Sequence, residues 1–223
     1  MANEVAAAGW FGKLPTLGDF ATRGLDPDLV AFWDDWLSRG LEQLRATRPD
    51  DWLQTYLDCP SWCFVLMPGA LPAPWGTHAH AGVLMPSVDR VGRYFPLTLW
   101  QTLGPGPWAG AQWRPLWAHL ARMNDIAASA VHDDWAPQVL DEQLARLGRP
   151  EVSPATASIA LPGGMRADEW LALEALGLWW QHGLGRALWF SGVDPDRPRA
   201  WMSDGLPALA SDLFDASTPR FQP

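Results

Sequence analysis

Two short segments of the sequence concentrate charge in a chain that is otherwise poor in charged residues. The charged side chains are Lys13 and Asp19 in the first segment and Asp89, Arg90 and Arg93 in the second. Arginine binds carboxylates and phosphates through paired N–H donors, so these residues could form a recognition surface. They could equally be structural, with Asp89 capping a turn and pairing with an arginine. A hydrolytic site is the third interpretation, although no activated nucleophile or base accompanies the charges.

The common catalytic and cofactor-binding motifs are absent from the sequence. It contains no Walker A loop, no G-x-S-x-G elbow and no H-E-x-x-H motif. His78 and His80 could share one face of a strand, but a metal site needs further ligands that the sequence does not suggest. Residues 104–110 stand where a phosphate loop would, yet Pro105 and Pro107 remove two backbone N–H donors. We therefore predict no cofactor, no metal and no enzymatic activity.

The composition excludes several classes of partner. Sixteen basic and 25 acidic side chains give a formal net charge of −9, and Lys13 is the single lysine. Nucleic acids and anionic membranes attract clustered basic residues, so neither is an expected partner. Cys59 and Cys63 do not have redox or zinc spacing and are expected to be reduced. The N-terminus does not resemble a secretory signal, and no apolar run reaches the ~18 residues of a membrane span, so the predicted location is the cytoplasm.

Hydrophobic periodicity predicts alternating strands and helices. Asp26 and Pro27 are typical of a helix start, and apolar residues then recur at spacings of three and four up to Leu44. Further helices are expected at 51–57, 113–127, 137–147, 168–181 and 206–214. Strands are expected at 9–14, 61–67, 79–85, 93–102, 157–161, 186–193 and 200–202.

This alternation predicts an α/β fold, a three-layer α/β/α sandwich around a mixed sheet. The strands at 79–85 and 93–102 are expected to form an antiparallel hairpin joined by residues 87–92. No long linker interrupts the pattern, so we expect one domain over residues 1–223, with loose termini at 1–8 and 215–223.

The two charged segments also carry a family resemblance. GWFGKLPTLGDF at residues 9–20 and MPSVDRVGRYFPLT at residues 85–98 closely resemble two signatures of the TagF family, also called ImpM, which is associated with bacterial type VI secretion. The Trp-rich helix at 29–44 is similar to the family as well. The resemblance is clear over about residues 9–103 and weaker in the C-terminal half.

The resemblance implies an α/β/α domain without established catalytic residues. It further implies a cytoplasmic, post-translational repressor of type VI secretion that is linked to the forkhead-associated (FHA) scaffold protein of that system. The candidate partner-binding residues are those of the two segments, Lys13, Gly18, Asp19, Asp89, Arg90, Gly92 and Arg93. Two alternatives stay open: an enzyme or small-ligand protein that uses the same charged residues, and a structural subunit of the secretion apparatus.

Overall fold

The fold was determined from a computed structural model, which describes residues 7–103, 113–150, 184–191 and 199–215. Seven strands are present in these ranges. They are β1 (Gly9–Gly12), β2 (Ala21–Arg23), β3 (Trp62–Leu66), β4 (His80–Met85), β5 (Leu97–Thr102), β6 (Arg186–Ser191) and β7 (Arg199–Asp204). Five α-helices accompany them: α1 (Pro27–Thr47), α2 (Trp52–Leu57), α3 (Trp113–His132), α4 (Pro137–Leu147) and α5 (Ser211–Phe214).

The start of α1 follows the predicted chemistry. The Asp26 carboxylate accepts hydrogen bonds from the backbone N–H groups of Asp28 and Leu29, and Pro27 occupies the first turn, where its missing N–H has no cost. Asp51 occupies the corresponding position before α2 but makes no side-chain cap. Its carboxylate instead pairs with Arg48, at 3.0 Å.

The seven strands form one sheet in the order β2-β1-β5-β4-β3-β6-β7. Every neighbouring pair is antiparallel, so the expectation of a mixed sheet was wrong in this detail, whereas the layered α/β class is confirmed. The reason lies in the long connection through α1 and α2. This connection leads from β2 to β3, and these two strands run parallel to each other. However, β1, β5 and β4 lie between them in the sheet. No two parallel strands therefore become neighbours.

Each face of the sheet is covered by its own hydrophobic layer. On one face, α3 and α4 pack through small and aliphatic side chains such as Leu120, Met123 and Ala127. On the other face, α1, α2 and α5 pack through large aromatic residues. The buried tryptophans of this layer are Trp33 and Trp36 on α1 and Trp62, Trp100 and Trp189 on the sheet. Two packed faces make the three-layer sandwich, and the sheet between them presents its loops at its two ends.

The predicted hairpin is confirmed, with a longer connection than expected. β4 pairs with β5 from His80 opposite Thr102 to Met85 opposite Leu97. The connection therefore spans residues 86–96 and contains one isolated bridge between Val88 and Tyr94. Pro96 lacks the N–H that would continue the ladder, so the strand begins only after it.

The C-terminal elements differ in length from their predictions. The helix expected at 206–214 is confined to Ser211–Phe214. The carbonyl of Pro207, just before it, instead accepts the buried indole N–H of Trp36 at 2.9 Å. The predicted strand at 157–161, the predicted helix at 168–181 and the candidate phosphate loop at 104–110 lie outside the described residues. No helix within the described ranges is both long and apolar enough to cross a bilayer.

Candidate functional site

The two charged segments meet at one end of the sheet. β1 pairs with β5 so that Gly12 lies opposite Leu97, which brings residues 13–20 beside the connection 86–96. Gly12 has a φ of +130°, and a Cβ atom there would lie 2.1 Å from the Pro96 carbonyl oxygen. Only glycine fits this close approach of two backbones, which allows Lys13 to lie directly against the second segment.

The carboxylate of Asp89 organises the turn at the centre of this site. It accepts hydrogen bonds from the backbone N–H groups of Val91 (3.0 Å) and Arg93 (2.9 Å). The backbone closes the same turn, because the Asp89 N–H donates to Arg93 and the Gly92 N–H donates to Asp89. Gly92 has a φ of +83°, a conformation that favours glycine. The loop is therefore shaped around one side chain.

The same carboxylate holds two cations. Its Oδ2 atom lies 3.0 Å from the Lys13 ammonium and 2.7 Å from Nε of Arg93. The Asp89 side chain is fully buried, and that of Lys13 is 5% exposed. Burial raises the pKa of Asp89, but hydrogen bonds from the Arg93 backbone, Lys13, the Arg93 side chain and the Val91 backbone outweigh it. The pKa is held below the usual aspartate value, so the group is an anion at neutral pH. We call Lys13, Asp89 and Arg93 the Asp89 cluster.

Further hydrogen bonds join the two segments to each other. The Arg90 N–H donates to the Leu17 carbonyl at 2.8 Å, and the Arg93 guanidinium donates to the Gly18 carbonyl. The Ser87 hydroxyl donates to the Lys13 carbonyl at 2.8 Å. Because the contacts are made largely to backbone atoms, they fix the relative position of the segments.

A family model described as the TagF N-terminal domain, type VI secretion system-associated, matches residues 9–147. The chain belongs to the TagF family. The matched region holds both charged segments, β1 to β5 and α1 to α4, whereas β6, β7 and α5 lie beyond it. Membership associates the chain with type VI secretion.

A solved structure supports the fold of this TagF family member. The chain is similar to PA0076 from Pseudomonas aeruginosa PAO1, with 28% sequence identity, a TM-score of 0.70 and coverage of 97% of each chain. No curated protein matches the sequence.

Phe20 covers the Asp89 cluster from the solvent side. Its ring lies 4.8 Å from the Lys13 ammonium and is held by Phe95 and Phe11, at centroid distances of 4.8 and 5.9 Å. The ring is itself 45% exposed. Phe20 was not among the site residues predicted from the sequence, although its place in the first TagF signature, directly after Asp19, was a usable signal.

Two further supports were also missed from the sequence. The Tyr56 hydroxyl of α2 donates to the Ser87 carbonyl at 3.0 Å and accepts the Ser87 N–H at 2.9 Å. On the opposite face, the Thr16 hydroxyl donates to the carbonyl of Trp135, between α3 and α4. The charged loops are thus anchored to both helical layers. A buried tyrosine needs a partner for its hydroxyl, which was the available signal for Tyr56.

All seven predicted site residues lie together at this end of the sheet. The buried ones, Lys13 and Asp89, form the base of the site. The others lie on its outer side, and we call residues 18–20 and 90–93 the motif surface. Asp19 is 80% exposed, and its carboxylate lies 3.7 Å from the Arg93 guanidinium, whose side chain is 53% exposed. Their participation in partner binding stays a prediction.

The predicted histidine pair has a different environment. His80 is buried in β4, where Nε2 donates to the Trp75 carbonyl at 2.9 Å and Nδ1 accepts the Trp100 indole N–H at 3.2 Å. This pairing requires the neutral ring, and burial lowers the pKa of His80 to about 4. Among the described residues, no three His, Cys, Asp or Glu side chains are grouped to hold a metal ion. Cys59 and Cys63 are buried thiols that form no disulfide, and they pack on opposite faces of the sheet.

Proposed function

We propose that this protein is a non-enzymatic, post-translational repressor of type VI secretion. It acts in the cytoplasm by binding an FHA-type scaffold protein of the secretion system, so that the scaffold is held away from assembly. The pathway follows from family membership. The repressor role and the scaffold partner rest on the resemblance of the two charged segments to the family signatures.

The observation that supports a binding role, rather than a catalytic one, is that the Asp89 carboxylate is buried and fully occupied by its own partners. It accepts two backbone N–H groups and contacts two cations, and its side chain has no exposed surface. A general base or nucleophile needs an accessible atom and a pKa matched to proton transfer. Asp89 has neither, so it is suited to shaping the motif surface for recognition. Loops held by a rigid scaffold are a common place for such surfaces.

The proposal is tested by measuring binding to the purified FHA-type scaffold of the same bacterium. Arg90→Ala and Arg93→Ala should weaken binding and release secretion. Arg90→Ala should leave the melting temperature nearly unchanged, whereas Arg93→Ala also removes a partner of the buried Asp89 carboxylate and should lower it. Arg39→Ala is a matched control, because Arg39 is also 53% exposed and also pairs with an aspartate four positions away. It should behave like the wild type in both assays.

Three results would contradict this function. Absence of scaffold binding by the wild-type protein would remove the proposed partner. Unfolding of Arg90→Ala at a much lower temperature would assign the surface a structural role. Stable stoichiometric co-purification with the assembled secretion apparatus would favour a structural subunit over a repressor.

A further inference from the structure

The charges of the site do not balance within the site. Its cations are Lys13, Arg90 and Arg93, and its carboxylates are Asp19 and Asp89. Lys13 and Arg93 both contact Asp89, and Arg93 also approaches Asp19. Arg90, by contrast, has no carboxylate within 4.0 Å anywhere in the part of the chain that the structure describes. One positive charge is left over at the surface of a chain whose net charge is −9.

The main chain of Arg90 is fixed to the first segment, and its guanidinium lies beside Gly18. Its backbone N–H is bound to the Leu17 carbonyl. Its terminal Nη2 atom lies against Gly18, 3.5 Å from the point where a Cβ atom would stand. Three positions further on, the Arg93 guanidinium donates hydrogen bonds to the Asp89 carboxylate and the Gly18 carbonyl. The Arg90 guanidinium therefore lies next to the first segment, on the motif surface.

Two exposed apolar side chains belong to the same motif surface as the unpaired cation. Val91 is 63% exposed, and Phe20 is 45% exposed while its ring is packed against Phe11 and Phe95. Exposed aromatic residues and arginines are enriched at the centre of protein interfaces. The arrangement fits a partner segment that offers an acidic group next to an apolar side chain.

We propose that the motif surface binds an acidic segment of the partner protein, with one aspartate or glutamate carboxylate paired to Arg90 and an apolar neighbour packed on Val91 and Phe20. The inference rests on the proposed function, since it names the chemistry of the same partner. The planar guanidinium matches a carboxylate through two parallel hydrogen bonds. The single surplus charge and the exposed Asp19 on the same surface favour a carboxylate over a doubly charged phosphate.

The test is a calorimetric titration of the full chain with the FHA-type scaffold. Arg90→Glu should raise the Kd by at least about tenfold, equivalent to about 1.4 kcal/mol. Arg39→Glu changes the net charge equally on α1 and should leave the Kd unchanged. The melting temperature of Arg90→Glu should stay close to the wild type, because no ion pair is lost. Wild-type binding should also weaken when salt is added.

The outcomes separate this inference from the proposed function. If the wild type binds and Arg90→Glu binds equally well, the carboxylate contact is overturned and the regulatory function stands. If dephosphorylating the scaffold abolishes binding, phosphate rather than carboxylate is recognised and the inference is again overturned.

A second probe keeps the inference testable if the scaffold does not bind. The peptide acetyl-Leu-Glu-Glu-Phe-amide is titrated into the isotope-labelled chain. It should shift the backbone amide signals of residues 18–20 and 90–93 in the wild type and leave them unmoved in Arg90→Ala. Absence of these shifts in the wild type would overturn the proposed chemistry.

Discussion

Two groups of ion-paired residues in this protein use similar chemistry in different surroundings. In the Asp89 cluster, one carboxylate holds two cations, and the Asp89 and Lys13 side chains are 0% and 5% exposed. In the second group, Arg48 lies between Asp51 and Asp215, with every N–O distance near 3.0 Å. We call these three residues the Arg48 cluster. Their side chains are 30%, 55% and 25% exposed.

The difference teaches that burial, rather than the number of ion pairs, decides what such a group does. Water screens the Arg48 cluster and can replace either partner, so its pairs are worth little. Water does not reach Asp89, so removal of a partner leaves a charge without compensation. The buried cluster therefore fixes the shape of a loop, whereas the partly exposed Arg48 cluster joins the end of α1 to Asp215 through pairs that water can screen.

The largest effect is expected from Lys13→Met, which removes one cation from the buried cluster. The free energy of unfolding should fall by about 3 kcal/mol, and the melting temperature by roughly 6–12 °C for a chain of this size. Calorimetry measures both. The double variant Lys13→Met/Asp89→Asn should lose less stability than the two single variants added together, because the uncompensated charge is gone. A melting temperature within ~2 °C of the wild type for Lys13→Met would make the two clusters equivalent.

Acidification is expected to lower the stability of the fold by a smaller amount. The contribution of His80 to this loss must be separated from that of Asp89. Burial lowers the pKa of His80 to about 4, whereas the unfolded ring titrates near 6.5. The unfolded state therefore binds the extra proton, and stability that is complete above pH 6.5 is lost as the pH falls toward 4. At pH 5 the loss from His80 should be about 2 kcal/mol.

The variant His80→Gln checks this assignment in stability measurements between pH 7 and pH 5. It should flatten the dependence in part, since burial also lowers the pKa of His119 to about 4. His132→Gln, at an exposed position, serves as the control and should retain the wild-type slope. The further loss below pH 4 then reports Asp89, whose pKa is lowered in the folded state. An unchanged slope in His80→Gln would refute the assignment.

The smallest effect is expected from Arg48→Ala, which removes the centre of the exposed cluster. The melting temperature should change by less than about 2 °C. Adding salt should reduce even this difference, because it screens exposed pairs. A loss as large as that of Lys13→Met would show that exposure does not separate the two clusters.

Local patterns in the sequence predicted local structure well. The Asp26-Pro27 start of α1 and the β4–β5 hairpin depend on neighbouring residues, and both were correctly placed. The sheet could not be derived in the same way. The alternation of apolar residues along a strand predicts which of its faces is buried. It does not predict that β1 lies beside β5, or that the connection from β2 to β3 passes over three strands.

The candidate site was predicted in its residue types and missed in its geometry. Lys13 and Asp89 stood out because charge is scarce in this chain. Nothing in their spacing indicated a buried contact of 3.0 Å, since that depends on the strand order. The supports from Phe20 and Tyr56 were missed for a related reason. Apolar and aromatic side chains are abundant here, so their individual roles become visible only through the atoms they touch.

The wide separation of the two segments along the chain has a consequence for synthesis on the ribosome. Lys13 and Ser87 are 74 residues apart, and β1 reaches its place only when β5 is available to pair with it. A nascent chain must therefore expose Lys13 and Phe20 without their partners until the second segment has emerged. Contacts over such separations form late and slow the folding of a domain. The newly made polypeptide should thus be unable to engage its target until most of its N-terminal half has been translated and folded.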